Sequence, residues 1–125
     1  MDLDQCACSG KSLGRLVQPA IMAVLAEQAV HGYLIIQRLA EMEMFRCGSP
    51  DPTGVYRVLR SMEEDGLVVS TWDFGDSGPA KRRFELTADG RACFARWTQT
   101  IEQYSRSIND LLAAMKHSAG TRPPA

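Results

Sequence analysis

Apolar residues recur at helical spacing in three successive segments of the first half of the chain. The first segment predicts a helix over residues 17–29, with Pro19 in its first turn, where proline is tolerated. The second, "HGYLIIQRLAEMEMF" at residues 31–45, predicts an amphipathic helix of about 12 residues. The third predicts a helix over residues 52–65. Residues 1–14, which precede these helices, are expected to form an arm.

The third helix has the clearest end signals. Asp51 is an N-cap acceptor, Pro52 suits the first helical position, and Gly66 is the residue preferred just past a helix end. The apolar face, which should pack inward, consists of Val55, Leu59 and Met62. The opposite, polar face consists of Thr53, Tyr56, Arg57 and Arg60. The acids of "EED" at residues 63–65 fall at the far end of the helix, and we expect them to lie away from this polar face.

The pattern then changes to that of strands. "LVVSTWDF" at residues 67–74 is rich in β-branched and aromatic residues, "GDSGPA" at 75–80 has turn chemistry, and "KRRFELT" at 81–87 is a second short strand. Together they predict a β-hairpin whose returning strand carries a basic cluster. The cluster consists of Lys81, Arg82 and Arg83. Thr87 is placed to cap a last helix over residues 88–117.

The last helix carries large apolar residues at alternating spacings of three and four. They are Phe94, Trp97, Ile101, Tyr104, Ile108, Leu111 and Met115. About 28 helical residues span roughly 42 Å, which is more than a domain of this size can cover by itself. We therefore expect the same helix of a second subunit to cover this seam in a two-fold dimer. The alternative is a helix that lies over its own core. Residues 118–125 are expected to be disordered.

The composition is that of one globular domain. The chain has 125 residues, of which 45% are hydrophobic and 23% are charged, and no apolar run approaches the roughly 20 residues that span a bilayer. The first residues are acidic and include cysteines, so we expect no secretory signal, no membrane association and a cytoplasmic location. The sequence has no phosphate-binding glycine loop, no HExxH or CxxC motif and only two histidines. We therefore do not expect an enzyme.

The basic residues are segregated although the formal net charge is −1. Three helices, a hairpin and a dimerising helix predict a mainly α fold with a small β-hairpin. This is a winged helix-turn-helix domain over residues 15–87, followed by a long C-terminal dimerisation helix. In such a domain the third helix enters the major groove of double-stranded DNA, and the hairpin, or wing, touches the backbone or minor groove. Arginine suits guanine or phosphate, and tyrosine and threonine hydroxyls suit phosphate oxygens or base edges.

Four stretches of the chain together match a known pattern. They are "HGYLIIQRL" in the second helix, "TGVYRVLRSMEEDGLV" in the third, "SGPAKRRFELT" in the wing and "LTADGR" before the last helix. With these stretches the chain resembles the PadR-type transcriptional regulators over about residues 16–116. The short tail after Met115 resembles the compact branch of that family, which lacks a larger C-terminal domain.

The resemblance implies a homodimer, held by the last helix, that binds inverted repeats in promoters and usually acts as a repressor. By matching position it implies DNA contacts at Tyr56, Arg57, Lys81, Arg82 and Arg83. "PTGVY" departs from the order Gly-Thr-Leu-Tyr of many members, so Thr53 is a candidate contact through its own chemistry alone. Arg60 is likewise a candidate because of its place on the polar face.

A regulator of this kind responds to a signal, which in this family includes phenolic acids and flat cationic drugs held between aromatic residues of the dimer helices. Trp97 and Tyr104 are therefore candidates to line a site for a small-molecule effector. Aromatic residues at this spacing are more commonly part of a helix-pairing core. Both interpretations remain open.

The cysteines offer a second possible signal. Cys6 and Cys8, in the N-terminal arm, can present two thiolates to one soft metal, and tetrahedral zinc or an iron–sulfur cluster requires four such ligands. Cys47 and Cys93 are the candidates for the other two. The spacing matches no standard zinc module, so a thiol redox switch and the absence of any special role are the alternatives. Cys93 also suits a small buried apolar position.

Two other functions remain open at this stage. The protein could be a thiol- or metal-dependent redox protein, which predicts metal or peroxide turnover without DNA binding. It could also be a winged helix used for protein interactions, which predicts that the wing cations can be neutralised without consequence.

Overall fold

A computed structural model describes residues 2, 16–46, 48, 50–75 and 78–121. The chain divides into two compact units, Met1–Phe94 and Ala95–Ala125. Among the described residues, no helix combines the length and apolar character needed to cross a membrane.

The three predicted helices of the first unit are confirmed. They are α1, Val17–Glu27; α2, Gly32–Glu41; and α3, Pro52–Glu64, with a short 3₁₀ helix, Glu43–Phe45, between the last two. The predicted start of α3 is also confirmed, because the Asp51 side chain accepts a hydrogen bond from the Gly54 amide over 2.8 Å. Gly66 has a φ of 76° just past the helix, the left-handed conformation that glycine tolerates best.

The predicted hairpin is confirmed and belongs to a three-stranded antiparallel sheet. Its strands are β1, Val30–His31; β2, Val68–Asp73; and β3, Lys81–Leu86, in the order β1-β3-β2. The sequence predicted a helix as far as residue 29 and no strand after it. The two residues of β1 are too few to show a strand period, and they are extended because they pair with Phe84 and Arg83 of β3.

The core of the first unit lies between the three helices and the sheet. Val55, Leu59 and Met62, the predicted inner face of α3, are at most 1% exposed. They share this core with Ile21 and Met22 of α1, Ile35 and Leu39 of α2, and Val68 and Phe84 of the sheet. Full burial of such side chains contributes roughly 1.5–3 kcal/mol each, which offsets the cost of ordering the chain.

Helix α4, Ala88–Thr121, begins in the first unit. The predicted cap is confirmed, since the Thr87 hydroxyl accepts a hydrogen bond from the Gly90 amide over 2.9 Å and donates one to the Gly66 carbonyl over 2.6 Å. Gly90 is buried against the backbone, and a Cβ atom there would overlap the carbonyl oxygen of Leu67. The helix continues four residues beyond the predicted end at residue 117, and 122–125 lie outside the described residues.

The described part of the second unit is the remainder of α4, and most of its large apolar side chains are exposed in the single chain. Tyr104 is 53% exposed, Ile108 62%, Leu111 60% and Met115 60%. They are four of the seven residues of the predicted seam. Its pairing with a second subunit stays a prediction.

Candidate nucleic-acid interface

Helix α3 and the hairpin of β2 and β3, the wing, form a shallow cleft of about 260 Å³. Its lining residues are Thr53, Tyr56, Arg57, Leu59, Arg60, Glu63, Arg82 and Phe84. Five of the seven predicted DNA contacts are therefore in one place: Thr53, Tyr56, Arg57, Arg60 and Arg82. Three arginine side chains and one carboxylate thus line the same cleft.

The helical period brings the α3 residues into the cleft. Thr53, Tyr56, Arg57 and Arg60 are all exposed, on the side of the helix opposite the buried residues. Because the inner face is fixed in the core, the rotation of α3 about its axis is set, and so is the direction in which both arginines of its polar face project. The arrangement offers anion-binding and base-contacting groups along one helix face.

The Tyr56 ring lies directly over the first residue of α2. A Cβ atom built on Gly32 would lie 2.6 Å from the Tyr56 hydroxyl oxygen and 2.7 Å from its Cε1 atom. Only a glycine therefore leaves room for the ring at this position. Tyr56 is still 43% exposed, so one side of the ring is held by α2 while the rest is available to a ligand.

On the wing, Arg82 is held by a network of polar contacts. Its Nη2 donates to Glu63 Oε1 over 2.6 Å, and its Nε donates to Ser70 Oγ over 2.9 Å. The Ser70 hydroxyl in turn donates to Glu63 Oε2 over 2.5 Å. The guanidinium also lies over the Phe84 ring, 5.4 Å from its centroid. The last turn of α3 is thereby connected to both strands of the wing.

The prediction that the acids 63–65 lie away from the polar face of α3 was wrong for Glu64, which follows Arg57 by seven positions and Arg60 by four, and for Glu63. Glu63 lines the cleft beside Arg60 and forms an ion pair with Arg82. It follows Tyr56 by seven positions and Arg60 by three, and both spacings place residues on the same helix face. The helical spacing in the sequence already placed Glu63 on this face. The prediction missed it because it considered only how far along the helix the acids lie.

The basic cluster of the wing is divided between the two faces of the sheet, because successive side chains of a strand point to opposite sides. Arg82 faces the cleft. Lys81 Nζ lies 5.2 Å from the centroid of the Tyr33 ring, and Arg83 Nη2 donates to the Ala29 carbonyl over 3.4 Å. Lys81 and Arg83 thus project from the other face of the wing, and their contact with DNA stays a prediction.

The candidate signal sites are only partly within the described residues. Trp97 is half-buried and Tyr104 is exposed in the second unit, and their role toward an effector stays a prediction. Cys93 is a half-buried free thiol, whereas Cys6, Cys8 and Cys47 lie outside the described residues. Where the structure describes the chain, no group of three or more histidine, cysteine, aspartate or glutamate side chains could hold a metal ion. Binding of zinc or an iron–sulfur cluster by the four cysteines stays untested.

Three helices, a small antiparallel sheet and a charged cleft between the third helix and the wing define the class of winged helix-turn-helix proteins. Residues 21–96 match the family model described as the transcriptional regulator PadR-like family. The chain therefore belongs to the PadR-like family of transcriptional regulators. No curated protein matches this chain.

Solved structures of similar proteins share the fold. A PadR-like transcriptional regulator from Bacillus cereus has a TM-score of 0.71 at 20% identity, over 82% of this chain and 96% of that one. A PadR family transcription regulator from Clostridium difficile has a TM-score of 0.69 at 21% identity, over 78% and 98%. Bacillus subtilis PadR in complex with operator DNA has a TM-score of 0.59 at 20% identity, over 66% of this chain and 46% of that one.

Proposed function

We propose that this protein is a transcriptional repressor that binds inverted-repeat operator DNA as a homodimer and leaves it in response to a signal. The observation that carries the proposal is the cleft between α3 and the wing. Thr53, Tyr56, Arg57, Arg60 and Arg82 line it together, although they belong to two elements separated in sequence. Bacillus subtilis PadR, which has a similar fold, was solved in complex with operator DNA, and this supports DNA as the ligand.

The charges of the cleft favour a polyanion in spite of the net charge of −1. Arg57 and Arg60 are exposed on the same helix, where each phosphate that they neutralise releases counterions. Arginine also makes bidentate contacts to guanine in the major groove, which give sequence selectivity. We expect α3 to enter the major groove and the wing to contact the adjacent backbone or minor groove.

The exposed apolar stripe of the second unit supports the proposed dimer. Ile108, Leu111 and Met115 each expose about 60% of their surface in the single chain, at the spacing of a helix-pairing seam. Pairing with the same helix of another copy covers this stripe and creates a two-fold axis. Two α3 helices related by such an axis match an operator that is an inverted repeat. This role on chromosomal DNA corresponds to the cytoplasmic location predicted from the sequence.

Three classes of signal are compatible with release from DNA. A small-molecule effector would bind near Trp97 and Tyr104, a metal would use thiolates that include Cys6 and Cys8, and a redox signal would oxidise those same thiols. Measurement of bound zinc and iron in protein purified under reducing conditions, and of DNA affinity after both cysteines are replaced by serine, separates the last two classes from the first.

Binding to duplex DNA across a salt series tests the proposed function. The probe is a fluorescently labelled duplex from the promoter region of the protein's own gene, and fluorescence anisotropy gives the dissociation constant from about 50 to about 200 mM salt. We expect a steep loss of affinity with salt. Arg57→Ala should weaken binding roughly tenfold or more, and the slope of log affinity against log salt should fall by about one unit.

The matched control is Arg38→Ala, because Arg38 lies on α2, outside the cleft, and pairs with Glu27 over 3.2 Å. It removes the same charge, and we expect it to leave the affinity within about twofold. Absence of salt-dependent binding to any duplex would refute the proposal, and metal or peroxide turnover beside it would favour the thiol- or metal-dependent redox protein. Equal affinity of the wild type and of a variant without the wing cations would instead favour a protein-interaction module.

A further inference from the structure

We propose that Glu63 is a positioning residue that ties the wing to α3 through Arg82 and thereby determines how selectively the cleft distinguishes one DNA sequence from another. The proposal rests on the proposed function, since it concerns the same cleft. It assigns a role in DNA recognition to the one acidic residue that lines the cleft.

The geometry of the network carries the inference. Both carboxylate oxygens of Glu63 are used, Oε1 by Arg82 Nη2 over 2.6 Å and Oε2 by the Ser70 hydroxyl over 2.5 Å. The Arg82 Nε–H closes the triangle by donating to Ser70 Oγ over 2.9 Å. Hydrogen bonds that involve ionised groups are shorter and stronger than neutral ones, and the planar guanidinium adds a fixed direction. Three contacts thus join three elements, α3, β2 and β3, at one point.

On charge alone, Glu63 is unfavourable for binding a polyanion. Its carboxylate shares the cleft with Arg57 and Arg60, so it lowers the positive potential that attracts phosphates. It is also only partly exposed, at 32% of its side chain, so solvent does not fully screen it. A role in holding Arg82 accounts for an acid in this place, whereas a role in attracting DNA does not.

The ion pair leaves Arg82 competent for DNA. A guanidinium has five N–H donors, and the contacts to Glu63 and Ser70 use two of them. The side chain is 43% exposed, and the Phe84 ring supports one face of the guanidinium. Arg82 therefore reaches a phosphate or base edge from a fixed position rather than from the end of a flexible chain.

A fixed position matters for selectivity more than for affinity. Attraction to the phosphate backbone is sequence-independent and does not need a defined spacing between α3 and the wing. Contacts to base edges do need it, because phosphate contacts set the register in which α3 meets the bases. Releasing the wing from α3 should thus preserve or improve non-specific binding while it reduces the preference for one sequence.

The test compares Glu63→Gln with Glu64→Gln in the full-length protein. Glu64 is the next residue of α3 and is exposed on the helix face of Arg57 and Arg60, but it does not line the cleft. Its replacement therefore removes the same charge from the same face without touching the contacts to Arg82 and Ser70. Two labelled duplexes serve as probes: one enriched by the wild-type protein from a random-sequence pool, and one of the same composition in shuffled order. Fluorescence anisotropy gives both dissociation constants, and their ratio measures selectivity.

We expect Glu63→Gln to strengthen binding to the shuffled duplex about twofold and to lower the selectivity ratio roughly fivefold. Glu64→Gln should change both dissociation constants alike and leave the ratio unchanged. If Glu63→Gln also leaves the ratio unchanged, the carboxylate acts through its charge alone and the inference is refuted. If the wild type does not prefer the enriched duplex at all, the proposed function itself fails.

A double-mutant cycle identifies Arg82 as the intermediary. Arg82→Met should lower the ratio by itself, and Glu63→Gln should have no further effect on it in the Arg82→Met background. An equal effect of Glu63→Gln in both backgrounds would refute the role of Arg82. Thermal unfolding of each variant accompanies the measurement, and Arg82→Lys, which keeps the charge without the planar fork, should resemble Arg82→Met in selectivity.

Discussion

Helix α3 and the second unit of the chain carry equally regular apolar stripes that meet opposite environments. Val55, Leu59 and Met62 of α3 are 0–1% exposed, whereas Ile108, Leu111 and Met115 of α4 are 60–62% exposed. Both sets recur at spacings of three or four residues, so spacing alone does not distinguish them. The difference is that α3 packs against α1, α2 and β2 of its own chain.

The comparison separates two kinds of apolar stripe. The stripe of α3 orients the helix within the fold, and with it the polar residues that line the cleft. The stripe of α4 is exposed in the single chain, and large exposed apolar patches are typical of interaction surfaces. We therefore expect substitutions in α3 to act on the stability of the first unit, and substitutions in the second unit to act on association.

The largest effect is expected from a matched pair of leucine truncations. Leu59→Ala should lower the free energy of unfolding by about 3 kcal/mol, because it leaves a cavity in the core where the side chain is 1% exposed. Leu111→Ala removes the same atoms from a side chain that is 60% exposed. Under dilute conditions that favour the single chain, it should change this free energy by less than about 0.5 kcal/mol. Denaturant unfolding followed by circular dichroism measures both.

If both variants lose the same unfolding free energy, the contrast between the buried stripe of α3 and the exposed stripe of α4 is wrong. Equal losses would mean that Leu111 is buried within its own chain in solution, as in the alternative that the last helix lies over its own core. The slope of unfolding free energy against denaturant serves as a check, since a change in it would indicate that the compactness of one of the states has altered.

The second prediction concerns association. Leu111→Glu should weaken the proposed dimer by at least about 2 kcal/mol, or roughly 30-fold in its dissociation constant, because a charge would enter the expected apolar helix-pairing seam. Analytical ultracentrifugation over a concentration series measures the shift from dimer to monomer. Loss of the dimer should also weaken binding to an inverted repeat more than binding to a single half-site.

The control for Leu111→Glu is a substitution at a polar residue beside the apolar stripe. Asp110→Glu, next in sequence to Leu111, keeps the charge at an exposed site and should leave the association unchanged. If Leu111→Glu remains dimeric at the same concentrations, the exposed stripe of the second unit is not the dimer contact.

Sequence reasoning predicted the elements that depend on local signals. The apolar period located the three helices, the Asp51 and Thr87 caps located two helix starts, and the change to β-branched residues located the hairpin. It also predicted the residues of α3 that are buried, because the helical period fixes which side chains share a face.

The features that sequence reasoning missed depend on contacts between distant residues. Strand β1 exists only through its pairing with β3, 54 positions further along at Val30 and Phe84. The basic cluster at residues 81–83 was treated as one surface, although strand alternation separates Arg82 from its neighbours. The pairing of Arg82 with Glu63 required knowing that the last turn of α3 lies beside the wing, which no local pattern states.

The smallest effect on stability in this series is expected where α2 packs against the polar face of α3. It tests whether the position of the Tyr56 ring over Gly32 matters for DNA binding. Gly32→Ala would place a methyl group 2.6 Å from the hydroxyl oxygen of Tyr56, so the tyrosine side chain must move. Because the ring is the far end of a side chain and is 43% exposed, it can swing aside. The free energy of unfolding should thus fall by only about 1 kcal/mol or less. Affinity for the enriched duplex should fall roughly tenfold, since a proposed contact is displaced.

Gly48→Ala is the control, because a Cβ atom at Gly48 has nothing within 4 Å. It should change neither the free energy of unfolding nor the affinity for DNA. If Gly32→Ala binds DNA as tightly as the wild type, Tyr56 contributes nothing to the interface from this position. DNA binding by the cleft would then depend on its arginines and on Thr53.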